Sequence, residues 1–320
     1  MLYDIIGDLH GHFDELTALL TKLGYHESQG AWRHSDRKAI FVGDFIDRGP
    51  KQLETVMTVR RMVDSGSAQA IMGNHELNAI AWFLPDTDSP GEYLRPHFSE
   101  KWGDKNRKQH KAFLAVVEDN PALHMEIIDW FLTLPLWLDL PELRVAHACW
   151  HPVWMDWLKP RLTDHNCLGR DLMPAAVKEP LDEDEKDTPE PTLFKAVEVL
   201  TKGIELVLPK PHSFVDKDGH QRTRVRARWW DCEARTYRQA AMLDEPTCRA
   251  LPDDPVPEHK RAPYTDTVPL FVGHYWETGT PAPFATNVAC VDYSVAKGGK
   301  LVAYRWEGES VLNKAGFVSV

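Results

Sequence analysis

The chain has 320 residues, 43% hydrophobic and 27% charged, a composition that supports a sizeable core and excludes disorder as a whole-chain description. Its 48 acidic residues against 37 Lys and Arg give a formal charge of -11, which argues against a nonspecific nucleic-acid binder. The most apolar run, Trp130 to Leu138, is bounded by Asp129 and Asp139 and is too short to span a bilayer, so no membrane partner is expected.

From the N-terminus, Tyr3 to Ile6 reads as a strand ending at Gly7-Asp8, followed by Leu16, Leu19, Leu20 and Leu23 at helical spacing and a stop at Gly24. Ala39 to Val42 reads as a strand ending at Gly43-Asp44. A helix opened by Pro50 then carries Leu53, Val56, Met57 and Val63 and closes at Gly66, and Ala70 to Met72 is a third strand, ending at Gly73-Asn74. Strand and helix in alternation predict an α/β sheet, with its polar residues at strand C-termini where such sheets form their ligand crevice. Residues 92–132 read as mainly helical with a break at Pro121, and Leu143 to Ala146 is a strand running into His147.

Seven carboxylates and three prolines between Glu179 and Pro191 predict an exposed loop, and Leu193 to Leu208 a helix stopped by Pro209. Phe214-Val215, a turn at Asp216 to Gly219 and an alternating run to Trp229 predict a hairpin with Arg222, Arg224, Arg226 and Arg228 on one face. The turn lacks the ligand series of a calcium loop. Leu270 to Val272 is a strand before Gly273-His274, and Val288 to Val295 with Leu301 to Trp306 forms a closing hairpin. Five widely spaced cysteines without a C-x-x-C pair suggest reduced structural thiols. Asp4 and Asp8 stand where a secretory signal needs a basic start and an apolar block, so a cytoplasmic location is expected.

Four motifs coincide with predicted strand ends: Gly7-Asp8-Leu9-His10-Gly11, Gly43-Asp44-Phe45-Ile46-Asp47-Arg48-Gly49, Gly73-Asn74-His75-Glu76, and Gly273-His274. In this order they resemble those of the calcineurin-like metallophosphoesterases, in the branch that contains Ser/Thr phosphoprotein phosphatases and symmetrical diadenosine tetraphosphatases. The resemblance covers roughly residues 1–150 and 266–306. It implies a central β-sandwich flanked by helices in α/β/β/α layers, and one catalytic domain over 1–320 with 155–265 inserted on the substrate side.

The resemblance implies a binuclear centre. Asp8, His10 and Asp44 would hold one divalent cation, and Asp44, Asn74, His147 and His274 the other, with Asp44 as the bridge. Mn²⁺ is the first expectation, and the mixed nitrogen and oxygen set also accommodates Fe, Zn²⁺, Co²⁺ or Ni²⁺. A hydroxide held between the metals would attack phosphorus, Arg48 and Asn74 would bind the phosphoryl oxygens, and His75, oriented by Asp47, would protonate the leaving group. Glu76 reads as a structural residue.

Two departures from the family pattern matter. Trp276 stands where nuclease-like members carry a second histidine, which lowers a nuclease reading, and Met72 replaces the Arg of eukaryotic protein phosphatases, which points to a bacterial-type enzyme. Trp150, Trp154 and Trp157 form a helical stripe read as core, with an aromatic wall beside the metals as the alternative. Arg226 or Arg228 is a candidate second phosphate ligand. The expected activity is hydrolysis of phosphate monoesters, with dinucleoside polyphosphates as the alternative substrate. A metal-holding scaffold without activity is disfavoured, because it would not need Asp47, Arg48 and His75.

Overall fold

The computed structural model describes residues 1–180, 182–215 and 219–320. The turn expected at Asp216 to Gly219 therefore falls largely outside the described residues.

Two sheets face one another. In the first, Leu2–Ile6 runs parallel to Arg37–Phe41, which runs parallel to Ala68–Ala70, while Lys300–Trp306 joins the other edge of Leu2–Ile6 antiparallel. In the second, Leu270–Val272 lies between Arg144–Ala146 and Val288–Cys290, parallel to both, and Trp137–Asp139 completes the edge. Period-two alternation divides each strand between two cores. Tyr3, Ile5, Ile40, Val42, Val145, Phe271, Val291 and Tyr304 fill the space between the sheets. Ile6, Phe41, Ala146 and Val272 face outward under helices, including Phe13–Lys22 and Gln52–Asp64. This is the layered sandwich that the resemblance implied.

The closing hairpin is more elaborate than expected. Val288–Cys290 belongs to the second sheet, whereas Asp292–Tyr293, two residues later, pairs with Lys300 and Leu301 in the first. One chain segment thus crosses between the layers, passing Gly7, where an added Cβ would run into the Val291 carbonyl.

The helix starting at Leu193 ends at Lys202, not Leu208, because Gly203 turns the chain at φ 83°. After it Ile204, Leu206 and Leu208 are buried alternately, and Glu205–Val207 pairs with Arg224–Arg226. The arginine run is accordingly broken: Gln221–Arg222 pairs with Phe214–Val215, a separate ribbon. The expected helical stretch begins only at Gly103, and Pro121 starts a new helix, capped by the Asn120 side chain, which accepts the Leu123 N–H at 3.2 Å. The acidic run is anchored at Asp187, whose carboxylate pairs with Arg224 at 2.7 Å and Lys260 at 2.6 Å. Among the described residues, no helix is long and apolar enough to cross a membrane.

The turns that end the first strands are held by close backbone approach. Gly43 has φ 100°, and an added Cβ would lie 2.5 Å from the Gly73 amide nitrogen. Gly43→Ala is expected to lower stability by about 2 kcal/mol or more through backbone strain and this clash. The urea midpoint followed by circular dichroism checks it, and an unchanged midpoint would contradict it.

Candidate metal centre

Each motif sits on a turn, and the turns are tied together. The Leu9 and His10 amides donate to the Asp44 carbonyl at 3.0 and 2.8 Å, and the Gly49 amide donates to the His10 carbonyl at 2.8 Å. Gln52, the first residue of its helix, accepts the Asp47 N–H at 2.6 Å and donates to the Gly49 carbonyl at 2.7 Å. Non-glycine residues with positive φ concentrate here: His10, Asp44, Asp47, Arg48, His274 and Trp276. Such backbone is costly, and sites of binding or catalysis are where surrounding structure most often sustains it.

Glu76 shows how the centre is held. One carboxylate oxygen accepts the Asp44 and Gly73 amides at 2.8 and 3.0 Å, and the other accepts the Phe45 amide at 2.8 Å. Glu76 therefore clamps two motif turns. Burial and the neighbouring Asp44 charge push its pKa up to about 7.

The Asp44 carboxylate is at the middle. Its Oδ1 accepts the His75 amide at 2.9 Å. Its Oδ2 lies 3.5 Å from His147 Nε2, 3.7 Å from His10 Nε2 and 3.9 Å from His75 Nε2. Burial resists ionisation of Asp44, but His147 and then His75 overcome it and hold the carboxyl well below its ordinary range. Among the described residues two groups bring ligand atoms within 4.8 Å of one another, His10 with Asp44 and His75, and Asp44 with His147 and His274. Asp44 is common to both.

Asn74 Oδ1 adjoins the second group, 2.8 Å from His274 Nδ1 and 3.2 Å from His147 Nε2. Asp8 is in neither group at that spacing. Its carboxylate accepts the His274 amide at 3.1 Å, and burial, then the Asp292 and Asp44 charges, drive its pKa well up.

The donor set suits cations. His10 Nδ1 donates to the Ile46 carbonyl at 2.9 Å and His147 Nδ1 to the Val42 carbonyl at 2.7 Å, which turns both Nε2 atoms toward Asp44. Among the described residues the Nε2 atoms of His10 and His274 are buried without a hydrogen-bond partner. Burial and the nearby His75 lower the His10 pKa to about 4, and burial with Arg226 holds His274 well down, so both rings are neutral with a lone pair to give.

His75 Nδ1 donates to Asp47 Oδ2 at 2.5 Å, leaving Nε2 beside Asp44. Burial lowers the basicity of His75, but Asp44 and Asp47 outweigh it and raise the pKa overall. Arg48 is exposed, its guanidinium carbon 5.5 Å from the Trp276 ring centroid. Arg226 reaches the His274 carbonyl at 3.5 Å, whereas Arg228 points to the Leu243 carbonyl. The tryptophan stripe packs away from this cluster: Trp150 lies under Arg144, Trp154 against His151 and Trp157 under Arg161. The aromatic ring at the centre is Trp276, 5.7 Å from His10 and 4.1 Å from Lys297 Nζ.

Two neighbours lie outside the motifs. Asp292 accepts the Trp276 amide at 2.7 Å, and His110 reaches Asp47 Oδ2 at 2.8 Å. His110 lies in a helical stretch with no spacing to mark it.

The chain is similar to several known proteins. A bis(5'-nucleosyl)-tetraphosphatase PrpE [asymmetrical] from Halalkalibacterium halodurans is 47% identical over 76 residues, 23% of this chain and 31% of that protein. The enzyme of the same name from Oceanobacillus iheyensis is 34% identical over 151 residues, 46% and 56% of the two chains. The matched segments thus span about a third to a half of these curated relatives. A cold-active protein-tyrosine phosphatase of a Shewanella species superposes with a TM-score of 0.48 and 17% identity, over 95% of this chain and 75% of that one. The model of the calcineurin-like phosphoesterases matches residues 1–188, which include all the motif turns but the last, and by that match the chain belongs to this family.

Proposed function

We propose that the protein is a two-metal phosphoesterase that hydrolyses phosphate monoesters. The observation that carries this reading is the pair of ligand groups sharing Asp44. In this reading Asp8, His10 and Asp44 hold one divalent cation and Asp44, Asn74, His147 and His274 the other. Two such cations supply a water of lowered pKa and polarise the phosphoryl oxygens.

The chain's own residues do the rest. Arg48 offers a planar guanidinium to two phosphoryl oxygens, and the Asn74 amide adds a further donor. His75 delivers the proton from Nε2 to the departing oxygen as the phosphorus–oxygen bond breaks, while its Nδ1–H stays on Asp47. Mn²⁺ is the metal we expect first. The stretch 155–265, read as an insertion in a single catalytic domain, is assigned to substrate choice.

A second reading, hydrolysis of dinucleoside polyphosphates, is favoured by the names of the relatives and by Lys297. Among the described residues Lys297 makes no ion pair, and it lies over the Trp276 ring that Arg48 also approaches, so both cations could meet a chain of phosphates. Metal-reconstituted protein assayed with p-nitrophenyl phosphate, a phosphopeptide set and diadenosine tetraphosphate separates the readings. No turnover of any above an Asp44→Asn control would end the enzyme reading.

Arg226 is the better candidate for a second phosphate ligand. Arg226→Ala is expected to raise KM about tenfold, the loss of a charge-assisted contact, with Arg228→Ala near wild type. Equal KM values for the two variants would remove Arg226 from the site.

A further inference from the structure

We infer that His110 is a positioning residue for His75, acting through Asp47. The inference rests on the reading of His75 as the proton donor given above. Asp47 is fully buried and its Oδ2 accepts two imidazole N–H groups, from His75 Nδ1 at 2.5 Å and from His110 Nδ1 at 2.8 Å. Its other oxygen, Oδ1, is buried without a partner among the described residues. The two rings are thus the hydrogen-bonding groups that set the direction of this carboxylate among the described residues.

The placement of His110 is otherwise hard to account for. The residue is fully buried where the helix Gly103–Gln109 gives way to Lys111–Val117, with Nε2 unpartnered among the described residues and its ring 6.3 Å from that of Trp82. An apolar side chain would fill this site without burying a ring nitrogen. Burial outweighs the pull of Asp47 and lowers the His110 pKa, so the ring is neutral, and a carboxylate acceptor requires its single proton to be on Nδ1. His110 therefore gives Asp47 a fixed donor that takes no part in proton transfer.

The consequence concerns geometry. His75 must keep Nε2 aimed at a departing oxygen, and its ring is steered by the hydrogen bond at the opposite nitrogen. If Asp47 were held by His75 alone, carboxylate and imidazole could swing together. His110 restrains that motion with a second hydrogen bond to the same oxygen. Misplacement of a reacting group by about 1 Å costs on the order of a hundredfold in rate.

The test uses the full-length, metal-loaded protein with His110→Leu and His110→Asn, since an Asn amide nitrogen can occupy the place of Nδ1. Aryl phosphates separate a proton-donor defect from general damage: phenyl phosphate needs the proton, and 2,4-dinitrophenyl phosphate does not. His110→Leu is expected to lower kcat on phenyl phosphate by about ten- to a hundredfold. KM and metal content should be unchanged, the loss on the dinitrophenyl ester should be less than about threefold, and His110→Asn should recover most of the rate. Equal losses on both esters, or no loss on either, would overturn the inference.

Nitrogen-15 NMR of the histidines gives a readout independent of turnover. The His75 Nδ1–H resonance, identified by its loss in His75→Gln, should shift in His110→Leu and return in His110→Asn. If it does not move, His110 does not position His75. Failure of the phosphoesterase reading would look different, as absent turnover of every substrate by the wild-type protein.

Discussion

Asp44→Asn is expected to lose both metals and to lower turnover by about a thousandfold or more, several kcal/mol of transition-state stabilisation. The Oδ2 atom faces the imidazoles of His10, His75 and His147 at 3.5 to 3.9 Å and belongs to both ligand groups, so no other residue has the same leverage. Two divalent cations a few ångströms apart repel strongly, and a shared anion is what makes their joint binding favourable. An amide has nearly the same shape but no charge to offer. Metal content by inductively coupled plasma mass spectrometry and turnover of p-nitrophenyl phosphate check the expectation. A variant that keeps two metals and full activity would show that Asp44 does not bridge.

The second large effect distinguishes two roles for one histidine. His75 Nε2 lies near enough to Asp44 and His10 to join their group, yet its Nδ1 is committed to Asp47 and its pKa is raised, as a proton donor requires. We assign it the donor role. His75→Gln should therefore keep its metals and lose about a hundred- to ten-thousandfold in kcat on substrates with poor leaving groups. The loss should be small for 2,4-dinitrophenyl phosphate. Metal depletion in this variant would make His75 a ligand and remove the donor assignment.

The centre was legible in the sequence to the extent that its residues lie in short motifs. Asp8, His10, Asp44, Asn74 and His75 each follow a β-branched or aliphatic run, so strand prediction and chemistry reinforced one another, and His147 and His274 could be located by the same rule. The structure brings these residues together at the strand ends, though it turns Asp8 toward the His274 amide and leaves it outside both groups at close spacing. His110 and Asp292 were not legible, because their significance lies in contacts made across 63 and 16 residues, to Asp47 and Trp276.

Errors in the fold have similar causes. Leu193 to Leu208 reads as one helix if Gly203 is treated as a weak point, but the glycine ends it, and the alternation of Ile204, Leu206 and Leu208 was the overlooked strand signal. The run Val288 to Val295 reads as one strand because its apolar half, Val288 to Val291, passes without a turn residue into an alternating half, Asp292 to Val295. Nothing local records that Val288–Cys290 and Asp292–Tyr293 join different sheets.

That crossing segment has a mechanical consequence. Asp8 and Asp44 follow strands of the first sheet, while His147 and His274 follow strands of the second, so any sliding of one layer over the other would pull the cluster apart. Because Val288 to Tyr293 is continuous backbone shared by both layers, and the Val291 amide is bonded to the Val272 carbonyl, the sheets are hinged at their ligand-bearing end. The spacing between the two halves of the centre is therefore constrained by one short shared peptide as well as by the packing of the core.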